Sequence, residues 1–184
     1  MCPCRNNGLV TNGAVALPPS TRYRDRVAGE LDSTDVALLV ELQADARLSY
    51  RQLAARVHLS PPATAERVRR LEQTGVLQQY RAVVDPAAVG RGLQAFIRIR
   101  AGDNVTTDAL TAELPALHDV REAHHLVGED CFLLRVAVAD IRQLEVLLAR
   151  LGRYGTTSTS IVLSTPLSFT PLLPPPPPST RRDP

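Results

Sequence analysis

Between Ser49 and Glu72 the chain reads Ser-Tyr-Arg-Gln-Leu-Ala-Ala-Arg-Val-His-Leu-Ser-Pro-Pro-Ala-Thr-Ala-Glu-Arg-Val-Arg-Arg-Leu-Glu. Ser49 is suited to cap a short helix with Leu53, Ala54 and Val57 on its apolar side. A tight turn follows at His58-Leu59-Ser60, and Pro61 stands at the first position of the next helix, where its missing N–H costs nothing. A helix-turn-helix of this kind does one chemistry well. Its second helix enters the DNA major groove while the first braces it across the backbone. At both N-termini free N–H groups and the helix dipole attract phosphate. With Val68 and Leu71 taken as inward, the step of ~100° per residue turns Pro62, Ala63, Glu66, Arg70 and Gln73 outward, with Arg67 and Arg69 on either flank. Arginine pairs bidentately with guanine or clamps phosphate, and glutamate accepts from cytosine. The candidate DNA-binding residues are therefore Ser49, Arg51, Ser60, Pro62, Ala63, Glu66, Arg67, Arg69 and Arg70.

Charge supports this locally. From Ser49 to Arg81 there are six Arg against two acids, while Leu31 to Arg47 carries one Arg against four acids. The formal total of +2 over 184 residues hides this division. Every one of the 21 basic residues is Arg, which reads first as a coding bias. A near-neutral chain argues against strong non-specific DNA affinity per subunit, so tight binding calls for several reading heads on one assembly.

Other chemistries are poorly served. His124-His125 are neighbours in an expected strand, where adjacent side chains point to opposite faces and cannot easily share a metal. Cys2-x-Cys4 has no second pair and the wrong spacing for structural zinc, and three cysteines exclude a disulfide framework. Cys131, in a buried strand, reads as a core residue. There is no phosphate-cradling glycine loop and no nucleophile elbow. No catalytic residue, metal site or cofactor is expected. Neither a membrane span nor a secretory signal is visible, which points to the cytoplasm and the nucleoid.

The elements that must position these residues follow from periodicity. Residues 1–30 lack a sustained pattern and read as a flexible extension. Leu31, Asp35, Leu38, Leu39 and Leu42 mark a first helix capped by Ser33 or Thr34. Thr64, Val68 and Leu71 line the inner side of the third helix, which Gly75 ends. Val76–Val84 reads as a short strand pair or wing, so the DNA-binding domain spans 31–84. Asp85-Pro86, Gly90 and Gly92 mark a hinge over 85–92.

From 93 to 165 the expected order is strand Leu93–Arg100, helix Thr106–Leu114, strands Val120–Leu126 and Cys131–Ala139, helix Ile141–Leu151 and strand Thr157–Ser164. This is the βαββαβ, ferredoxin-like arrangement, which makes the chain an α+β protein. Two helices on one face leave the other face of the sheet open, and a second copy would bury it. The tail, 166–184, holds Pro174–Pro178 and reads as a spacer or disordered segment.

The residues together resemble the Lrp/AsnC, or feast/famine, family of transcriptional regulators. The resemblance rests on Leu31-Asp32-x-x-Asp35, Ala46-Arg47-Leu48-Ser49, Leu53-Ala54, Leu59-Ser60-Pro61, Arg67-Val68-x-Arg70-Leu71-Glu72-x-x-Gly75-Val76-Leu77 and Asp85-Pro86. Val127-Gly128-Glu129-Asp130-Cys131-Phe132 is similar to the glycine-acid turn of the family's effector-sensing RAM domain. Thr64 stands where the family usually carries an aliphatic residue, and Ala65 where it is often polar. The resemblance implies a dimer through the second domain, assembly of dimers into tetramers or octamers, palindromic operators, and an amino-acid effector near the turn at a subunit junction.

Backbone N–H groups of Gly128, Glu129 and Asp130 could hold an α-carboxylate, and an acid could hold an α-ammonium. The candidate effector-binding residues are Val127, Gly128, Glu129, Asp130, Thr157 and Thr159. Two alternatives stay open at this point. One is an enzyme on the same scaffold, similar to sirohaem decarboxylases, with His124 and His125 as its candidate groups. The other is a sensing module without DNA binding.

Overall fold

The computed structural model describes residues 31–175, which leaves the 1–30 extension and tail residues 176–184 outside. The described chain forms two compact units, one of 83–166 and one of 31–82 joined by 167–175.

The first unit holds three helices, α1 (Ser33–Ala44), α2 (Tyr50–Val57) and α3 (Pro61–Gln73). The cap of α1 is Asp32, not Ser33 or Thr34 as expected. Its Oδ1 accepts the Asp35 N–H at 2.8 Å, and Asp35 Oδ2 accepts the Asp32 N–H at 3.3 Å. An aspartate both satisfies the orphan N–H and sets negative charge at the positive end of the helix dipole. Ser49 caps α2 in a second reciprocal box with Gln52. At the end of α2 His58 takes the left-handed conformation, φ 56° and ψ 42°, which turns the chain sharply into Ser60. Ser60 Oγ accepts from the Ala63 N–H, with Pro61 and Pro62 in the first turn of α3. Leu38, Leu42, Leu53, Val68 and Leu71 form the core where the three helices meet. Thr64 is fully buried there, and its hydroxyl donates to the Ser60 carbonyl at 3.0 Å, so a polar residue is accommodated without an orphan group.

The expected wing is corrected. Val76–Val84 carries no regular secondary structure. A strand needs a hydrogen-bonding neighbour, and this segment finds none among the described residues.

The second unit contains β1 (Leu93–Arg100), α4 (Asn104–Glu113), β2 (Val120–His125), β3 (Phe132–Val138), α5 (Ile141–Leu151) and β4 (Thr156–Ile161). The sheet order is β2-β3-β1-β4 with every pair antiparallel. Alternation decides its faces. Ala95, Ile97 and Ile99 of β1, with Phe132, Leu134, Val136 and Val138 of β3, pack with Leu110, Leu144, Leu147 and Leu151 into one apolar core. Phe96, Arg98, Leu133 and Arg135 point to the other face. Cys131 is buried as expected. Gly155 is required by close approach: with φ 147°, a Cβ there would lie 2.1 Å from the Arg100 carbonyl oxygen.

Candidate nucleic-acid interface and effector turn

The residues expected to meet DNA separate into two sets. Ser60, Pro62, Ala63, Glu66, Arg69 and Arg70 form the exposed side of α3. Ser49 and Arg51 are exposed at the start of α2. Among the described residues Arg69 pairs with Glu66, one helical turn earlier, at 3.3 Å with both side chains mostly in solvent. Such a pair is worth little and leaves the guanidinium available.

Arg67 is different. Its Nη1 donates to Asp32 Oδ2 at 2.6 Å and to Asp35 Oδ1 at 2.9 Å. Arg70 Nη2 donates to Asp35 Oδ2 at 2.6 Å while its side chain stays 54% exposed. Asp35 is wholly buried, so two cations on α3 and the capping N–H of Asp32 neutralise and saturate it. Accepting hydrogen bonds from Asp32 and Asp35 raises Arg67 above its usual range. Asp32 falls below the ordinary carboxyl value of 3.8, first because it accepts the Asp35 N–H and next because of Arg67. Arg67 is thus a brace that fixes α3 against α1, not an arginine standing free on the flank of α3. Sequence reasoning placed Asp35 on the apolar side of α1 without pairing it. A carboxylate at an inward helical position, with surplus arginines elsewhere, was the available signal.

Tyr80 was also missed. Its hydroxyl donates to Glu72 Oε1 at 2.9 Å beyond the end of α3. Partial burial, and then the Glu72 acceptor, push its pKa up.

At the turn between β2 and β3, Val127 is fully exposed and Gly128 has φ 155°, a conformation that favours glycine. Arg100 donates to Glu129 Oε2 at 2.9 Å, and its Nε lies 3.8 Å from Asp130 Oδ1. Both acids of the turn therefore face a cation that sequence reasoning did not include. Thr157 pairs with Ile99 near this end of the sheet, whereas Thr159 pairs with Ile97, further from it. A cavity of about 30 Å³ lined by Val84, Pro86, Val89, Arg91, Arg121 and Ala137 is water-sized. His125 stacks on Phe132 with ring centroids 4.9 Å apart, and His124 lies 3.7 Å from Glu122. No group of three or more His, Cys, Asp or Glu side chains among the described residues could hold a metal. No described helix is long and apolar enough to cross a membrane.

Comparison with known proteins agrees with this geometry. Residues 31–72 match the AsnC-type helix-turn-helix domain, and residues 94–172 match the Lrp/AsnC ligand binding domain. The chain is 40% identical over 137 residues to the HTH-type transcriptional regulator LrpA of Mycobacterium tuberculosis, covering 73% of this chain and 91% of that one. It is 34% identical to the leucine-responsive regulatory protein of Salmonella typhimurium, over 76% of this chain and 89% of that protein. Among solved structures, a transcriptional regulator of Neisseria meningitidis in complex with L-Met matches with a TM-score of 0.72 and 32% identity. That match covers 78% of this chain and 96% of the other. A feast or famine regulatory protein of M. tuberculosis in complex with L-methionine matches with a TM-score of 0.72 and 39% identity, over 79% and 100% of the two chains. With its helix-turn-helix unit and its four-stranded ligand-binding unit, the chain belongs to the Lrp/AsnC family of transcriptional regulators.

Proposed function

We propose that this regulator reads operator DNA with the exposed side of α3 and answers to an amino acid held near Val127–Asp130. The observation that carries the DNA reading is the solvent-facing row of Pro62, Ala63, Glu66 and Arg69 behind the Ser60 cap, with Arg51 exposed on α2. Arg51 and Arg69 contact phosphate or base edges, Glu66 and Arg70 complete the reading face, and Arg67 holds its angle. Replacing Arg51 and Arg69 together by Ala should weaken operator binding and flatten the log–log salt dependence by about 2, near one per lost phosphate contact. Unchanged binding in a salt-titrated mobility assay would sink the reading.

The effector assignment draws on the two relatives solved with L-methionine and on the turn itself. Glu129 and Asp130 suit an α-ammonium, the turn N–H groups suit an α-carboxylate, and Thr157 is the nearer of the two threonines. An effector of this kind must favour one assembly over another to change DNA occupancy. The open face of the sheet, with Phe96 and Arg98, is the surface for a second copy, and dimers of dimers would set two reading helices on a palindromic site. Thermal-shift screening against the twenty amino acids tests this, since a ligand selective for the folded chain raises its melting temperature.

A cytoplasmic, nucleoid-associated location goes with this role. A catalytic role is disfavoured because the named relatives are regulators, and the two histidines of the enzyme alternative lie exposed with one stacked on Phe132. Titration with a tetrapyrrole should leave its absorbance unchanged.

A further inference from the structure

One contact lies outside both sites. Gln43, in the last turn of α1, meets residue 172, which is 129 positions away in sequence. The Leu172 N–H donates to Gln43 Oε1 at 2.8 Å, and Gln43 Nε2 donates to the Leu172 carbonyl at 3.1 Å. The same Nε2 donates to the Leu39 carbonyl, also at 3.1 Å. A primary amide has two N–H donors and one carbonyl acceptor group, and all are engaged here. The Leu39 carbonyl fixes the amide plane, and the remaining donor and acceptor match the N–H and C=O of one extended residue.

The captured segment is shaped for this reading. Leu172 and Leu173 lie between Pro171 and Pro174, so they supply the only N–H groups across that stretch. Proline on both sides holds the backbone extended, with its polar groups turned outward and little freedom left to lose on docking. The Leu172 side chain is 83% exposed, so the main chain, not the apolar side chain, is what is held. Residues 167–175 belong with the helical unit although β4, which precedes them, belongs to the sheet unit.

We propose that the flank of α1 at Gln43 is a docking surface for the chain's own C-terminal segment, Leu167–Leu173. The segment straps the DNA-binding unit a second time, beyond the connection through 83–92. The sequence between Ile161 and Leu167 then acts as the strap's tether.

Hydrogen–deuterium exchange of the full chain, resolved to single amides, tests this. The Leu172 amide should exchange about tenfold more slowly than the Leu173 amide, the protection expected of a local, low-stability contact. Gln43→Ala should abolish that difference without moving the melting temperature, and Gln43→Glu, which keeps only the acceptor, should leave part of it. Equal exchange of Leu172 and Leu173 in the unaltered chain overturns the proposal. A mixed preparation identifies the donor subunit: a Gln43→Ala chain with its tail intact is paired with a chain truncated after Pro166. Leu172 should be unprotected in that mixture; protection there would assign the contact to a neighbouring subunit and overturn the strap within one chain.

Discussion

In the helical unit a carboxylate, Asp35, lies fully buried among leucines, held by Arg67 and Arg70 from a different helix. In the sheet unit the described interior is apolar except for Thr107, whose hydroxyl donates back to the Asp103 carbonyl at 3.0 Å. The difference follows from geometry. A sheet sets the relative placement of its strands by backbone hydrogen bonds, so apolar filling is enough. Helices packed on so small a core have no such ladder between them, and a buried charge pair can fix the angle at which α3 is presented. For a reading helix, that angle is function. The arginines of α3 are accordingly divided: Arg67 and Arg70 hold Asp35, whereas Arg69 pairs within its own helix and stays mostly in solvent.

The contrast can be broken experimentally. Ile97→Ala, at the centre of the sheet core, should destabilise the sheet unit by about 4 kcal/mol in urea unfolding, with the helical unit's transition unchanged. Asp35→Ala should cost the helical unit about 3 kcal/mol by removing the shared acceptor of two cations; a loss below about 1 kcal/mol would show that the pair contributes little to its stability. Arg67→Ala should lower the stability of the same unit by about 1–2 kcal/mol, whereas Arg69→Ala should change it by no more than about 0.5 kcal/mol while reducing operator affinity. Matching stability losses for the two would remove the distinction between brace and reader.

The smallest effect concerns pH. Asp32 and Asp103 both sit below the ordinary carboxyl value of 3.8 in the folded chain. Asp32 owes this first to the Asp35 N–H and then to Arg67, and Asp103 first to the Thr106 side chain and then to the Thr106 N–H. A depressed carboxyl contributes stability above its unfolded pKa and loses it as pH falls through the folded value. Both units should therefore soften below pH 3.8. Molar salt should blunt the acid sensitivity of the helical unit more, because only Asp32 has a cationic partner and screening at ~1 M acts within about 3 Å.

Much of the fold was legible because it is written in short range. Ser49, Ser60, Pro61 and Gly75 mark helix ends by capping and dihedral preference, and the structure places helix boundaries there. The strands expected at Leu93–Arg100 and Cys131–Ala139 appear as β1 and β3 for the same reason, but Phe96, expected on the buried face with Ile97 and Ile99, lies on the opposite one, as adjacent strand residues must. Asp32 defeated the first cap assignment because three polar residues in a row compete for the role, and the winner depends on Asp35 turning back. The wing failed because strand identity is not a property of one segment.

By itself, the sequence determined the three helices, the βαββαβ order, the two-faced sheet and the outward row of α3. All of these rest on interactions within a few residues or on a fixed period. Only the tertiary structure decided that Arg67 braces against residues 35 and 32 positions away, that Arg100 faces the acids of the Glu129 turn, and that Leu172 docks on Gln43. An arginine or an amide has several partners within the reach of its chemistry. Folding selects among them by bringing distant segments to hydrogen-bond distance, and no local pattern records that choice.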